Sequence, residues 1–131
     1  MRYTFTTLIA SLLFLQLHQV QSESAEVMVF NQWPRGFYGS ISVDIEDAVE
    51  DGWQVTLTFS KPVKRVEVWN AKVDSVSDDK TVYILKNKFW NARLGAGRQL
   101  QFRFLGHKAK FGENKPKISA EFARIGEGSG F

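Results

Sequence analysis

The chain of 131 residues contains no cysteine. Disulfide staples, thiolate metal sites and thiol nucleophiles are therefore excluded together. Histidine is nearly missing too, with 2 in the whole sequence. A metal centre built on several imidazoles has too few ligands to draw on, so neither metal nor cofactor is expected. An excess of one charge sign is also lacking, because Lys+Arg total 17 against Asp+Glu 14. So small a surplus, spread along the chain, makes no stripe of the kind that grips nucleic acid. The densest basic stretch, GHKAKFGENKPK at 106–117, is broken by glycine and proline and reads as a solvated loop. Contact of that loop with an acidic polymer such as pectate is the minor alternative.

Long apolar runs are scarce as well. The single one, residues 8–17, follows Arg2 and leads into a polar stretch ending Val20-Gln21-Ser22. It falls short of the roughly 20 apolar residues that span a bilayer. The pattern predicts a signal peptide over 1–22 cut after Ser22, a secreted extracellular product and no membrane partner. About 109 residues then remain, enough for one small domain with one core. That domain is expected over 23–125, with a flexible glycine-rich tail over 126–131.

What is present is alternation. In GFYGSISVDIED, Ile41, Val43 and Ile45 face one way while Ser42, Asp44 and Glu46 face the other. GWQVTLTF sets Trp53, Val55, Leu57 and Phe59 against Gln54, Thr56 and Thr58, and RQLQFRFLG sets Leu100, Phe102 and Phe104 against Gln99, Gln101 and Arg103. Ile118, Ala120 and Phe122 repeat the pattern near the end. Turn signals separate these runs, among them Asp51-Gly52, Ser60-Lys61-Pro62, 77–80 and Gly95-Ala96-Gly97. No stretch carries a helical period. Short strands with one apolar face each predict an all-β, antiparallel β-sandwich.

Strand parity then sorts the 4 tryptophans. Trp53 is in register with the apolar face of its strand and belongs to the core. In VKRVEVWNAKV, Trp69 shares a face with Arg65 and Glu67, opposite Val66 and Val68, so it points out. Trp33 precedes a bend marked by Pro34 and Gly36, and Trp90 lies in a loop between asparagines and glycines. A single exposed indole is commonplace. Three together form the kind of aromatic patch that a monomer rarely carries without a use. Amides flank them: Asn31 and Gln32, Asn70, Asn91, and the outward Gln101. Rigid apolar plates edged by amides suit a sugar ring, whose C–H bonds form apolar faces and whose hydroxyls lie at its rim.

NQWPRGF, GWQVTLTF, VEVWNAKV, FWNARLGAGRQLQFRF and the closing ISAEF, in that order and spacing, resemble the family 2 carbohydrate-binding modules over residues 26–122. The resemblance implies an immunoglobulin-like β-sandwich and a non-catalytic protein that adsorbs to insoluble polysaccharide; a monomer is expected. It also implies three coplanar surface indoles at Trp33, Trp69 and Trp90, with Trp53 as the buried one. Asn31 and Gln101 match flanking polar contacts of the family, and Glu67 occupies a contact position usually held by glutamine. Trp90, together with Gly36 at the place where xylan binders carry a turning arginine, resembles the cellulose-binding branch. Ser40 and Leu105 depart from the family's polar rim, which keeps both cellulose and chitin as candidate ligands. The disulfide that usually joins the family's two ends is missing, a loss worth up to about 3 kcal/mol. Free-standing secreted modules of plant-parasitic nematodes are similar in build.

Two other classes have weaker support. A glycosidase needs two carboxyl groups across a cleft, whereas Asp44 and Glu46 read as a solvated face and Asp78-Asp79 as a turn. His107 reads as a solvated loop residue beside Lys108. A protein-interaction domain remains, either because the indoles act as hot spots or because the module brings a cell-wall-modifying enzyme to its polymer.

Overall fold

The computed structural model describes residues 23–125; the expected signal peptide and tail lie outside the described residues. Eight strands follow one another: β1 (Glu23–Trp33), β2 (Gly36–Asp44), β3 (Trp53–Phe59), β4 (Val63–Val68), β5 (Ala71–Val76), β6 (Val82–Asn87), β7 (Gln99–Lys108) and β8 (Ile118–Arg124). A single 3-10 turn, Phe89–Asn91, interrupts them between β6 and β7. The strands form two antiparallel layers, β4-β7-β2-β1 and β1-β8-β3-β6-β5. β1 belongs to both: Glu23, Ser24 and Ala25 pair with β8, and the rest of the strand pairs with β2. The molecule is thus the antiparallel β-sandwich that the alternation requires.

Each alternating run buries the face that parity assigns to it. Trp53, Val55, Leu57 and Phe59 of β3, and Leu100, Phe102 and Phe104 of β7, are all buried. Between the layers the Trp53 indole stacks on Phe102 at 5.7 Å between ring centroids and lies 6.4 Å from Phe122. Its Nε1–H donates to the carbonyl of Asn91 at 2.8 Å, so the one polar atom of the ring is satisfied. At the other end of the core, Phe59 and Tyr83 meet edge to face at 5.6 Å. The Tyr83 hydroxyl donates to Val63 O at 2.6 Å, and burial raises its pKa, which keeps the phenol neutral.

One segment departs from the sequence reading. VKRVEVWNAKV is not one strand but a corner. Asn70 adopts φ 68°, a left-handed conformation that asparagine tolerates better than most residues. The chain therefore leaves one layer with β4 and enters the other with β5. Parity survives up to that corner, because Trp69 N–H still donates to Arg103 O at 3.1 Å and extends the β4–β7 ladder.

The first and last strands of the described residues are joined without a disulfide. β1 and β8 pair from Glu23↔Phe122 to Ala25↔Ala120. Arg124, with its side chain 7% exposed, reaches Glu23 Oε2 at 2.6 Å and the carbonyl of Asp47 at 2.7 Å. A guanidinium fork thereby ties β8 both to β1 and to the loop after β2.

Trp53→Ala is expected to remove about 3–5 kcal/mol of stability, the cost of a large core cavity. Thermal unfolding followed by circular dichroism checks this, and a cooperative melt within a few degrees of the parent would contradict the core assignment.

Candidate functional site

The outward face of the β4-β7-β2-β1 layer collects most of the residues singled out in the sequence. Pairing sets Trp33 opposite Gly36, Gly36 opposite His107, and His107 opposite Arg65. Further along the same strands, Ser40 lies opposite Arg103, whose carbonyl accepts from Trp69 N–H. Asn31 pairs with Tyr38, Tyr38 with Leu105, and Leu105 with Glu67; Gln101 pairs with Ser42. Trp33, Asn31, Glu67, Gln101 and Trp69 therefore share one surface. Three strand spacings across and four residues along separate Trp33 from Trp69, a distance on the order of 20 Å.

Each indole has a local reason for its position. Trp33 ends β1, and its ring lies over Gly36, where an added Cβ would sit 3.1 Å from the ring and 2.5 Å from the carbonyl oxygen of Gly106. Only glycine permits that approach. Trp33 is 37% exposed. Trp69, 47% exposed, stands at the Asn70 corner with the Tyr38 ring edge-on at 6.4 Å. Trp90, 58% exposed, sits in the 3-10 turn rather than in an irregular loop. The Phe89 ring meets it at 5.1 Å, and the Lys88 ammonium lies 5.6 Å from its centroid.

Asn91 connects these parts. Its Nδ2 donates to Asn70 O at 2.7 Å, its Oδ1 accepts from Lys88 N–H at 2.8 Å, and its carbonyl accepts from Trp53. The turn that presents Trp90 is thus tied to the corner that presents Trp69 and to the buried indole. Asn91 appears in the sequence as a flanking amide suited to a ligand; the structure corrects this, since both side-chain polar atoms are used internally. Asn31, by contrast, is exposed and without a protein partner among the described residues. Gln101 is exposed, and its Nε2 donates to Ser42 Oγ at 3.1 Å.

His107 is the second correction. It belongs to β7 instead of a loop, and its Nε2 lies 2.7 Å from Glu67 Oε2. Arg65 Nη2 approaches the same carboxylate oxygen at 3.1 Å. Hydrogen bonds from His107 first and Arg65 second hold the Glu67 carboxyl below its usual 4.5. Glu67 is therefore ionised at neutral pH and partly engaged within the protein. Among the described residues no cluster of three or more potential metal ligands occurs.

Three further residues lie on this face. Arg103 stacks 5.1 Å from the Phe30 centroid and 5.9 Å from that of Tyr38, while its Nη1 donates to the Tyr38 hydroxyl at 3.0 Å. Phe30 and Tyr38 are themselves 6.1 Å apart. The outward parity of Arg103 was legible in RQLQFRFLG. Phe30 keeps the exposed parity of Glu26 and Met28, and the register shift between Val29 and Asn31 then puts Asn31 on the same face, which conceals Phe30 from a parity count made from Trp33.

Residues 23–121 match the family model described as "Cellulose binding domain". The chain belongs to the family 2 carbohydrate-binding modules. The cellulose-binding family 2 domain of ScLPMO10C superposes with a TM-score of 0.50 at 21% identity, over 82% of this chain and 99% of that one. A chain of chitinase ChiA74 from Bacillus thuringiensis gives a TM-score of 0.53, also at 21% identity, over 72% of this chain. This chain spans 15% of that chitinase chain's length. At such identities the two superpositions speak to the fold. As a family 2 module, residues 23–121 form a non-catalytic carbohydrate-binding domain.

Two outcomes are expected of this face. Asn91→Ala should cost about 1–2 kcal/mol of stability through two lost hydrogen bonds. It should weaken polysaccharide adsorption beyond what its melting temperature implies, as a paired melt and pull-down would show. Glu67→Gln should be destabilising at neutral pH, because a depressed carboxyl stabilises the fold fully above its unfolded pKa and loses that effect as pH falls through the folded one. The gap in melting temperature between parent and variant should therefore narrow from about pH 6 to about pH 3; a constant gap would show that the ionised carboxylate does not matter.

Proposed function

We propose that this is a secreted, non-catalytic protein that adsorbs to crystalline cellulose through a platform formed by Trp33, Trp69 and Trp90. The observation that carries the reading is the sharing of one sheet face by Trp33 and Trp69, with Trp90 pinned beside the Trp69 corner. Membership of the family supports carbohydrate as the ligand, and the signal-peptide pattern in the sequence of residues 1–22 supports export. Asn31, Gln101 and Glu67 supply hydrogen-bonding groups at the rim of the stacked sugars. The protein acts outside the cell, on cell-wall polymer, as a monomer.

Magnitudes decide how many indoles are needed. One indole face covering a sugar buries roughly 100 Å² of apolar area, worth about 2.5 kcal/mol. That does not exceed an association cost of at least about 4 kcal/mol. Three faces give about 7–8 kcal/mol, and hydrogen bonds at the rim add a modest net amount. Adsorption therefore depends on several plates engaging the same polymer together.

Chitin shares the repeating pyranose faces and is the second ligand within this reading. A protein partner, such as a wall-modifying enzyme delivered to the polymer, is the alternative from another class. The test is a pull-down on microcrystalline cellulose, chitin and xylan. The parent should be depleted from the supernatant by cellulose, and Trp69→Ala should lower the affinity about 10–100-fold while melting near the parent temperature. Undiminished retention of Trp69→Ala on the insoluble polymer would sink the platform, and retention on chitin alone would replace cellulose as the ligand.

A further inference from the structure

Beside the Trp33 end of the platform lies a cavity of about 170 Å³ lined by Arg35, Lys64, His107, Lys108, Ala109 and Phe111. It adjoins the platform directly: Arg35 follows Trp33 by two residues, and His107 pairs with Gly36, the partner of Trp33. Three of the lining residues carry permanent positive charge, and none is acidic. Among the described residues no carboxylate lies within ion-pair distance of Arg35, Lys64 or Lys108. Lys108 is 8% exposed, and its ammonium has one neutral hydrogen-bond partner, Gln32 Oε1 at 3.3 Å. A buried ammonium normally finds an anion, because desolvation is otherwise uncompensated. The backbone holds the cluster in place, since Lys108 N–H donates to Arg35 O at 2.8 Å and Gly112 N–H to Pro34 O at 2.8 Å.

We propose that this cavity is a subsite for the carboxylate of an acidic sugar, so that the module also binds polyuronate chains. The lining matches both halves of such a residue. Arg35, Lys64 and Lys108 all line the cavity and are available as donors to a carboxylate, with a guanidinium able to grip it through two N–H groups. Phe111 is 71% exposed, with the Arg35 guanidinium 5.2 Å from its centroid, and offers an apolar plate to the ring. An inorganic anion would have no use for that plate. The volume holds a charged substituent but not a whole ligand of drug size, which needs roughly 300 Å³ or more. A neutral glucan leaves the three cations unpaired, so this subsite adds a ligand class that the tryptophan platform does not require.

The test is native gel electrophoresis of the full mature protein in gels containing polygalacturonate, with its fully methyl-esterified form as the uncharged control. The parent should be retarded by the acid and not by the ester, and less so as salt rises. Arg35→Gln with Lys64→Gln, both exposed positions, should weaken that retardation at least about tenfold. Lys72→Gln with Lys117→Gln removes the same charge from exposed sites elsewhere and should leave retardation within about twofold. Equal losses in the two double variants would reduce the effect to net charge and overturn the subsite, as would an unretarded parent. Retardation by dextran sulfate without retardation by polygalacturonate would overturn the carboxylate assignment. Cellulose pull-downs of the same proteins keep the two readings apart: the Arg35/Lys64 variant should adsorb like the parent, and a parent that binds polygalacturonate but ignores cellulose refutes the platform alone.

Discussion

A flat surface of exposed indoles is unstable against its own side chains, which gain by folding down onto neighbouring apolar atoms. Everything proposed for this protein depends on preventing that collapse, and the hydrogen bonds around Asn91 fix the backbone from which two of the indoles project. The buried Trp53 indole donates to the Asn91 carbonyl, and the Asn91 amide fixes Asn70 and Lys88. The hydrophobic core is thereby linked to the two backbone turns that display Trp69 and Trp90. A single asparagine thus ties a core indole to the two turns that carry surface ones. At the other end a bare Gly36 leaves room for the Trp33 ring against its own strand pair.

The same economy shows in how a cysteine-free chain closes its sandwich. β1 divides its pairing between the two layers, so the first strand stitches them along its length. Arg124 then fastens the last strand to Glu23 and to Asp47. A disulfide acts mainly on the unfolded ensemble, whereas these contacts act on the folded one. The first and last strands are therefore held by interactions that depend on the rest of the sandwich being formed.

Most of the fold was legible because parity is a local property. Trp53, Leu57, Phe102 and Phe122 announced their burial through neighbours two residues away, and Trp69 announced its exposure in the same way. What lay beyond reach was whatever depends on contacts distant in sequence. Asn91 looked like a ligand-facing amide because its partners, Asn70 and Trp53, are 21 and 38 positions away. His107 looked solvated because the carboxylate that engages it sits on β4, 40 positions earlier. Phe30 escaped for a different reason: it keeps the exposed parity of Glu26 and Met28, but the bulge after Val29 puts Asn31 on the same face, so counting back from Asn31 and Trp33 points Phe30 inward. The corner at Asn70 was masked by continuous period-two patterning, which two strands in succession reproduce as well as one does.

Arg103 raises the remaining physical question, since a charge beside Trp69 on the proposed platform should spoil it. A guanidinium is planar and weakly hydrated, so its faces behave as partners for aromatic rings while its N–H groups point outward in the plane. Between Phe30 and Tyr38, with one N–H donating to the Tyr38 hydroxyl, the group is accommodated as a plate with a polar edge. A sugar has the same division between apolar face and polar rim. The surface around Arg103 thus repeats the logic proposed for the indoles: apolar area offered face-on, with hydrogen-bonding groups at the borders. An ammonium at the same position would concentrate its charge on one strongly hydrated point and interrupt the surface. Arginine preserves it.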